Sequence, residues 1–206
     1  FTDAVSAISE NIGTDGGILV YNPTPFTSGG IVTVDGKEIY ADNIPAHGYA
    51  VISPDNINNS QQQSVKADSH SIENDRLKVV FDDKMHIVSL FDKVSGRETI
   101  ASGMSANVLE VFEDYPRSYD AWEITEYYKQ KKWIADDVSE VVPVNTPLYS
   151  GIRITRKYRN SEIRQFVRLY PGSARLDFIT EIDWFEDHVL LKAAFPLDIH
   201  TSSAKY

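Results

Sequence analysis

The residues best suited to chemistry lie in one segment that is dense in aromatic and charged side chains. It runs from Phe112 to Ile124 and continues from Tyr127 to Trp133. The segment breaks the alternation of apolar and polar residues that a strand requires. Aromatic faces stack on the C–H surfaces of sugars, and carboxylates and arginine form hydrogen bonds with hydroxyl groups, so the segment is suited to a carbohydrate subsite. The same composition fits a loop that covers one end of a β-sandwich, and composition alone favours that structural interpretation.

Histidine spacing gives no local metal signature. Zinc sites often place two histidines at short, fixed spacing on one helix or strand. No pair in this sequence has that spacing, and the adjacent Asp187 and His188 would point to opposite faces of a strand. No metal site is therefore predicted. Each of the five histidines is interpreted as a surface or edge residue: His47, His70, His86, His188 and His200.

Motifs for nucleophilic and cofactor chemistry are also missing from the sequence. There is no cysteine, no Gly-x-Ser-x-Gly, no phosphate-binding glycine loop and no dinucleotide fingerprint. Two carboxylates could catalyse glycoside hydrolysis, but most of the 30 acidic residues fall on alternating strand positions, and the sequence nominates no pair. No catalytic residue is predicted in this chain.

Composition narrows the classes of partner and location. The formal net charge of -10 would repel a phosphate backbone, so nucleic acid is not an expected partner. No signal peptide and no apolar run long enough to span a bilayer is present in the sequence, so no membrane association is expected. The lack of cysteine fits a reducing compartment, and a cytoplasmic location is predicted.

The first part of the chain predicts a short helix and a small β unit. Residues 1–14 begin with a helix-like stretch and are interpreted as the end of a helical bundle, so the chain reads as part of a longer protein. Residues 15–53 contain strands around Ile18–Tyr21 and Gly48–Ser53, and Asp35-Gly36 predicts a two-residue hairpin turn. The polar, low-complexity stretch that follows predicts a linker at 54–69.

The remaining residues, 70–206, predict a large antiparallel β-sandwich. Two strands flank a turn near Asp83-Lys84, and a meander of strands follows Gly151, with turns at Asn160-Ser161 and Pro171-Gly172. Apolar residues alternate with Arg, Glu and Asp, which are expected to face solvent. The predicted fold class is all-β: a large antiparallel β-sandwich preceded by a small β unit.

Five blocks of sequence in one order carry a family resemblance. They are Asn22-Pro23-Thr24-Pro25-Phe26, Ile72-Glu73-Asn74-Asp75, Ser89-Leu90-Phe91-Asp92-Lys93, Phe112-Glu113-Asp114 with Tyr119-Asp120-Ala121-Trp122, and Leu176-Asp177-Phe178 through Asp183-Trp184 to Leu191-Lys192-Ala193-Ala194-Phe195-Pro196. Over nearly the whole chain, they resemble the β region of family 38 glycoside hydrolases, the retaining α-mannosidases, particularly the bacterial and cytosolic branch. The chain departs from the expected Arg-Pro-Asn and Trp before Asp-Ala-Trp, because it has Tyr115-Pro116-Arg117 and Tyr119 there.

The resemblance implies that this chain is part of a multidomain α-mannosidase that hydrolyses terminal α-mannosides with retention. In that family a catalytic barrel holds an Asp nucleophile and a zinc ion bound by His and Asp, and a helical bundle and β domains follow. The barrel motifs are absent here, so zinc is expected in the parent enzyme and none is expected on this segment. The sandwich at 70–206 is expected to be incomplete at its C-terminus, and its uncovered edge predicts homo-oligomerisation.

The resemblance also implies where the sugar would be contacted. Loops of the β region help to close the sugar pocket in this family, which implies substrate-binding roles for Asp120 and Trp122, with Tyr119 and Glu123 as neighbours. The expected ligands are α-mannosides or mannose-containing oligosaccharides, and the expected partner is the rest of the parent chain. Two alternatives stay open: a stand-alone carbohydrate-binding β-sandwich without catalysis, and a purely structural or adhesive sandwich.

Overall fold

Antiparallel strands make up most of the regular structure in a computed structural model that describes residues 2–14, 16–53, 65–119 and 122–203. The elements are α1 Thr2–Asn11, β1 Ile18–Tyr21, β2 Ser28–Val34, β3 Lys37–Ile44, β4 Tyr49–Ile52, β5 Lys66–Ala67, β6 Ser71–Glu73, β7 Leu77–Phe81, β8 Ile87–Asp92, β9 Arg97–Glu98, β10 Val108–Glu113, a 3-10 helix Glu126–Gln130, β11 Lys132–Ile134, β12 Asp137–Asn145, β13 Ser150–Tyr158, β14 Ser161–Leu169, β15 Leu176–Asp183 and β16 Val189–Ala194.

The chain divides into two compact units, Phe1–Gln62 and Gln63–Tyr206. In the first unit β1 pairs with β4, and β2 pairs with β3. The β2–β3 hairpin turns at Asp35 and Gly36, which both have positive φ angles, of 49° and 75°. This is the backbone geometry that a two-residue hairpin turn requires, so the predicted hairpin is confirmed.

The second unit is a β-sandwich. One layer is the sheet β12-β13-β14-β15, and the sheets β5-β6-β7-β8-β9 and β11-β10-β16 pack against it. A bridge between Ile87 and Ala106 joins the five-stranded sheet to the residues that lead into β10. The predicted fold class, an all-β chain with a large antiparallel sandwich after a small β unit, is confirmed.

Among the described residues, two clusters of buried apolar side chains form the core of the sandwich. The larger lies between the five-stranded and four-stranded sheets, where Val79 and Ile87 meet Ile152 and Val167. The smaller lies under the three-stranded sheet, where Leu109 and Val111 meet Ile163 of β14. The alternating apolar residues that predicted β13 and β14 are the ones buried here, because successive side chains of a strand point to opposite faces.

Some details of the sequence prediction differ from the structure. The turn between β13 and β14 is formed by Arg159 and Asn160, one residue before the predicted Asn160-Ser161, because Tyr158 pairs directly with Ser161. Arg156 lies on the same face of β13 as Ile152 and Ile154 and is fully buried. The linker and the other domain boundaries stay predictions: residues 54–64 lie outside the described residues, and Lys66–Ala67 form β5. Of the helices that the structure describes, none is both long enough and apolar enough to cross a bilayer.

Candidate functional site

The segment rich in aromatic residues is the connection between β10 and β11, residues 114–131, called the aromatic segment below. Phe112 of β10 pairs with Lys132 of β11, so the segment connects two neighbouring antiparallel strands. The backbone N–H of Asp114 donates to the carbonyl oxygen of His188 at 2.8 Å. This anchors the segment to the residues that precede β16, the other neighbour of β10.

Large side chains of the aromatic segment point into water. Tyr115, Tyr119, Trp122 and Tyr127 are 65%, 76%, 87% and 57% exposed, respectively. Large aromatic side chains are usually mostly buried, because burying them contributes much of the hydrophobic stabilisation of a fold. Exposed aromatic side chains in one segment are typical of binding surfaces, so this segment is the candidate site.

Backbone hydrogen bonds to Tyr119 close a turn where the sequence selected sugar contacts, and the structure describes three of the four selected residues. Tyr119 has a positive φ angle of 62°, and its carbonyl oxygen accepts hydrogen bonds from the N–H groups of Trp122 at 3.0 Å and Glu123 at 3.2 Å. The side chains of Tyr119, Trp122 and Glu123 are all exposed. Asp120, the fourth selected residue, lies outside the described residues. The sugar-binding roles of the four stay predictions.

A shallow depression of about 100 Å³ lies beside this turn, between the end of β10 and the 3-10 helix. Tyr119, Trp122 and Glu123 are not among the described residues that line it. The sequence therefore did not select the residues around the depression, although most of them lie in the stretch rich in aromatic and charged residues. They are Glu113, Tyr115, Thr125, Tyr127, Tyr128, Gln130 and Lys131.

Two aromatic residues that line the depression, Tyr115 and Tyr128, are held by contacts with β10, with β16 and with His188, which precedes β16. Tyr115 stacks on His188 with ring centroids 4.5 Å apart and an interplanar angle of 22°. Tyr128 packs edge-on against the buried Phe112 at 5.1 Å. Lys192 Nζ donates to the Tyr128 hydroxyl oxygen at 2.7 Å, and this hydrogen bond lowers the pKa of Tyr128 below its usual 10.0. Both rings are therefore fixed by contacts outside the aromatic segment.

Two ion pairs among the described residues link β10 to Lys131 and to the first residue of β11. Lys131 Nζ lies 2.8 Å from Glu113 Oε1, and Lys132 Nζ lies 2.7 Å from Glu110 Oε1. Glu113 and Lys131 both line the depression. Since exposed ion pairs contribute little to stability, Glu113 and Lys131 can exchange partners with the hydroxyl groups of a ligand at little cost.

Metal chemistry has no support among the side chains that the structure places. Within residues 2–14, 16–53, 65–119 and 122–203, no three His, Cys, Asp or Glu residues come together in a group that could hold an ion. His86, which the sequence predicted at the surface or at an edge, is instead buried, and its Nδ1 lies 3.3 Å from Asp82 Oδ2 without a third ligand. The described residues do not fit a zinc site.

Comparison with known families decides the broader identity. The model of the glycosyl hydrolases family 38 C-terminal domain matches residues 72–206. The chain belongs to glycosyl hydrolase family 38. This confirms the family resemblance drawn from the five sequence blocks, and the matched region contains the sandwich from β6 onward and the whole aromatic segment.

Curated relatives agree with the family 38 assignment. Alpha-mannosidase 2C1 of Homo sapiens is 31% identical over 143 residues, which are 67% of this chain and 14% of that protein. Alpha-mannosidase 2C1 of Mus musculus matches to the same extent. Alpha-mannosidase G of Dictyostelium discoideum is 28% identical over 142 residues, which are 66% of this chain and 13% of that protein. The chain thus spans about a seventh of the length of these relatives.

Proposed function

We propose that this family 38 chain is the non-catalytic β region of a retaining α-mannosidase that hydrolyses terminal α-mannosides. Its support is the family match over residues 72–206 and the relatives that are named alpha-mannosidases. The catalytic carboxylates and a zinc ion are assigned to a barrel elsewhere in the parent protein. The role of this chain is to support that barrel and to contribute to the rim of the sugar pocket.

The observation that carries the rim assignment is the exposure of the turn in the aromatic segment. We infer the ligand, a mannoside, from the family match. The exposed Tyr119 and Trp122 offer flat apolar faces of the type that pack on sugar rings. Glu123 and Asp120 add carboxylates that accept hydrogen bonds from hydroxyl groups. We assign substrate contact to these four residues.

The test of the enzymatic part is hydrolysis of an aryl α-mannoside by the full-length parent protein, with and without a chelator, beside residues 1–206 alone. Activity in the parent that disappears with the chelator, and none in residues 1–206, is the expected result. A parent protein that cleaves no α-mannoside contradicts the proposal.

A variant of the parent protein tests the rim assignment. Trp122→Ala should raise the KM for a mannose oligosaccharide about tenfold with little change in kcat, since a stacking contact removed from both the ground state and the transition state acts on binding. Phe26→Ala is the matched control, because Phe26 is also an exposed aromatic, at 62%, and lies in the other unit. Equal KM values for both variants would remove the rim role.

Two further parts of the proposal concern location and assembly. The absence of cysteine supports a cytoplasmic location. Homo-oligomerisation is supported by β15, which ends the order of its sheet among the described strands and exposes Ile179 and Ile182. Light scattering on residues 1–206 at high concentration should give a mass above that of one chain. A monomer mass at every concentration would contradict the assembly.

The second candidate function is a carbohydrate-binding module without catalysis, favoured by the depression that this chain forms by itself. Titration of residues 1–206 with mannose oligosaccharides separates the two functions when it is combined with the assay of the parent. Binding by the chain together with an inactive parent protein would establish the module.

A further inference from the structure

We propose that the depression next to the turn binds one pyranose ring of an oligosaccharide, and that Tyr115 is the platform on which the ring lies. The site is separate from the four residues that the sequence selected. Its ligand class rests on the proposed function, whereas the site itself rests on the contacts of Tyr115, Tyr127 and the Glu113–Lys131 ion pair.

Tyr115 has the placement of a stacking platform. One face of its ring lies against His188 at 4.5 Å and nearly parallel to it, yet 65% of the residue stays exposed. The opposite face is therefore directed outward at the edge of the depression that Tyr115 lines. An aromatic ring that is supported on one face and open on the other offers a rigid apolar surface to the C–H side of a sugar.

The polar groups around this platform match a neutral polyhydroxylated ligand. Glu113 contributes a carboxylate that accepts hydrogen bonds, and Lys131 contributes an ammonium group that donates them. They lie 2.8 Å apart in a partly exposed ion pair, and both line the depression. Gln130 and Thr125, which also line it, add groups that both donate and accept.

The opposing signs of Glu113 and Lys131 also argue for the class of ligand. A site for an anion or a cation would place charge of one sign around the ligand, whereas this pair is balanced. Neighbouring hydroxyl groups of a sugar both donate and accept, and therefore satisfy a carboxylate and an ammonium group at once. A neutral hexopyranose fits this arrangement.

The walls are held in place before any ligand arrives. Glu113 ends β10, the central strand of the sheet β11-β10-β16. Tyr128 is fixed by Phe112 and by the hydrogen bond from Lys192. Because few side chains need to be ordered on binding, the entropic cost of binding is small, and a small contact area can still give measurable affinity.

The size of the depression sets the binding mode. At about 100 Å³ it is smaller than the pockets of roughly 300–1,000 Å³ that enclose a drug-sized ligand. One ring would lie across the mouth and leave its outer face in water. Affinity for a single sugar is then expected to be on the order of millimolar, and longer oligosaccharides should bind more tightly only if a neighbouring ring reaches Trp122.

The direct test is an NMR titration of residues 1–206 with methyl α-mannoside and with α-linked mannobiose. Saturable shifts of the amide signals of residues 113–131 are expected for the wild-type chain. Tyr115→Ala should weaken binding about tenfold, while Tyr115→Phe should stay within about threefold because it keeps the ring. Phe26→Ala, an exposed aromatic in the other unit, should bind like the wild type.

Two results would overturn the inference. One is the absence of saturable shifts with either sugar. The other is a Tyr115→Ala chain that binds as tightly as the wild type. If Tyr115 instead serves as a contact to another part of the parent protein, the isolated chain gives the first result, and amides 113–131 exchange more slowly with deuterium in the parent.

The inference and the proposed function can fail separately. A parent protein that hydrolyses an aryl α-mannoside, and whose KM for oligosaccharides is unchanged by Tyr115→Ala, retains the function and loses the Tyr115 site. An inactive parent with sugar binding at residues 113–131 of the chain retains the site and loses the function. Binding measured on the chain therefore does not depend on catalysis.

Discussion

Arg156 Nη2 donates a hydrogen bond of 2.8 Å to the carbonyl oxygen of Met85, and so ties the centre of β13 to the turn between β7 and β8 across the sandwich. The same atom reaches the Lys84 carbonyl oxygen at 3.3 Å. Arg156 is fully buried, and its Nε and Nη1 have no hydrogen-bond partner. Burial lowers the pKa of Arg156 to about 10, although Asp82 and Asp136 act in the opposite direction.

This lowered pKa predicts how the free energy of unfolding responds to Arg156→Met. Since the pKa of Arg156 in the folded chain lies below the usual value of arginine, the unfolded chain binds the proton more tightly, and the buried charge opposes folding until the pH rises through about 10. Methionine removes that charge at neutral pH and keeps most of the volume. The free energy of unfolding of the Arg156→Met chain should stay within about 1 kcal/mol of wild type, because the loss of the hydrogen bonds offsets the benefit of removing the buried charge.

Arg156→Ala is the companion variant. It also leaves a cavity, and should lose about 3 kcal/mol in urea unfolding at pH 7. If methionine costs as much as alanine, the hydrogen bonds to Met85 and Lys84 outweigh the cost of burying the charge, and our reading of the lowered pKa is wrong.

A second prediction concerns the amide pair Asn107 and Gln165. Asn107 Nδ2 donates to Gln165 Oε1 at 2.6 Å, and Gln165 Nε2 donates to Asn107 Oδ1 at 3.2 Å. Both side chains are buried, and the pair joins the residue before β10 to β14. Gln165→Leu should lower the free energy of unfolding by about 2 kcal/mol, because it leaves the Asn107 amide unpaired inside the protein.

A double-mutant cycle measures this coupling. Asn107 has a positive φ angle of 55°, so glycine is the replacement that keeps the backbone unstrained. Asn107→Gly with Gln165→Leu should lose less than the sum of the two single losses, by about 1 kcal/mol. Additive losses would mean that the two amides do not depend on each other.

The sequence predicts a strand well where apolar and polar residues alternate, because one face of that strand is buried and the other faces solvent. The alternation of Ile152 and Ile154 predicted β13, and Asp35-Gly36 predicted the β2–β3 turn, because both depend on neighbours in sequence. Strand β12 was missed for two local reasons. Its register shifts between Val138 and Glu140, which breaks the alternation, and Pro143 lies in its middle. As β12 ends its sheet among the described strands, the missing N–H of a proline is tolerated there.

In the candidate site, too, local features could be predicted from the sequence, whereas contacts between distant residues could not. The loss of strand periodicity after Phe112 correctly located an irregular aromatic connection. The depression depends instead on β16 lying next to β10, which brings His188 under Tyr115 and Lys192 onto Tyr128. Those contacts join residues far apart in sequence, so residue type and spacing could not select Tyr115. The burial of Arg156 has the same origin, since its acceptors lie in a distant turn.

A third prediction concerns acid stability and Glu98. Burial of this carboxylate raises its pKa, but hydrogen bonds from Ser89 Oγ and from the N–H groups of Ile100, Leu90 and Thr99 outweigh that effect, and the pKa of Glu98 lies below its usual 4.5. The carboxylate therefore stabilises the fold above about pH 4.5, and this stabilisation is lost as the pH falls through the lower folded-state value.

Glu98→Gln tests this assignment. The variant should be less stable than wild type at pH 7, and the difference should shrink as the pH falls below 4.5 and Glu98 of the wild type takes up its proton. Urea midpoints between pH 3 and pH 7 provide the measurement, with Glu10→Gln in the exposed part of α1 as the control. A stability difference that does not change with pH would exclude a role for the charge.

The last prediction concerns Asn74, which lies in the block Ile72-Glu73-Asn74-Asp75 that helped to identify the family. Its Nδ2 donates to the carbonyl oxygens of Tyr170 at 2.6 Å and Ser173 at 2.8 Å, and its Oδ1 accepts from the N–H groups of Arg76 and Leu77. The buried amide thus closes the β6–β7 turn and holds it to the β14–β15 turn. These hydrogen bonds give Asn74 a structural role.

Asn74→Asp separates the two halves of this role. Aspartate keeps the acceptor for Arg76 and Leu77 but directs a carboxylate oxygen at two carbonyl oxygens, so the free energy of unfolding should fall by about 3 kcal/mol at pH 7. Part of the loss should be recovered at acid pH, where a protonated carboxyl group can donate again. A loss that is the same at pH 4 and pH 7 would show that the Tyr170 and Ser173 hydrogen bonds do not hold the two turns together.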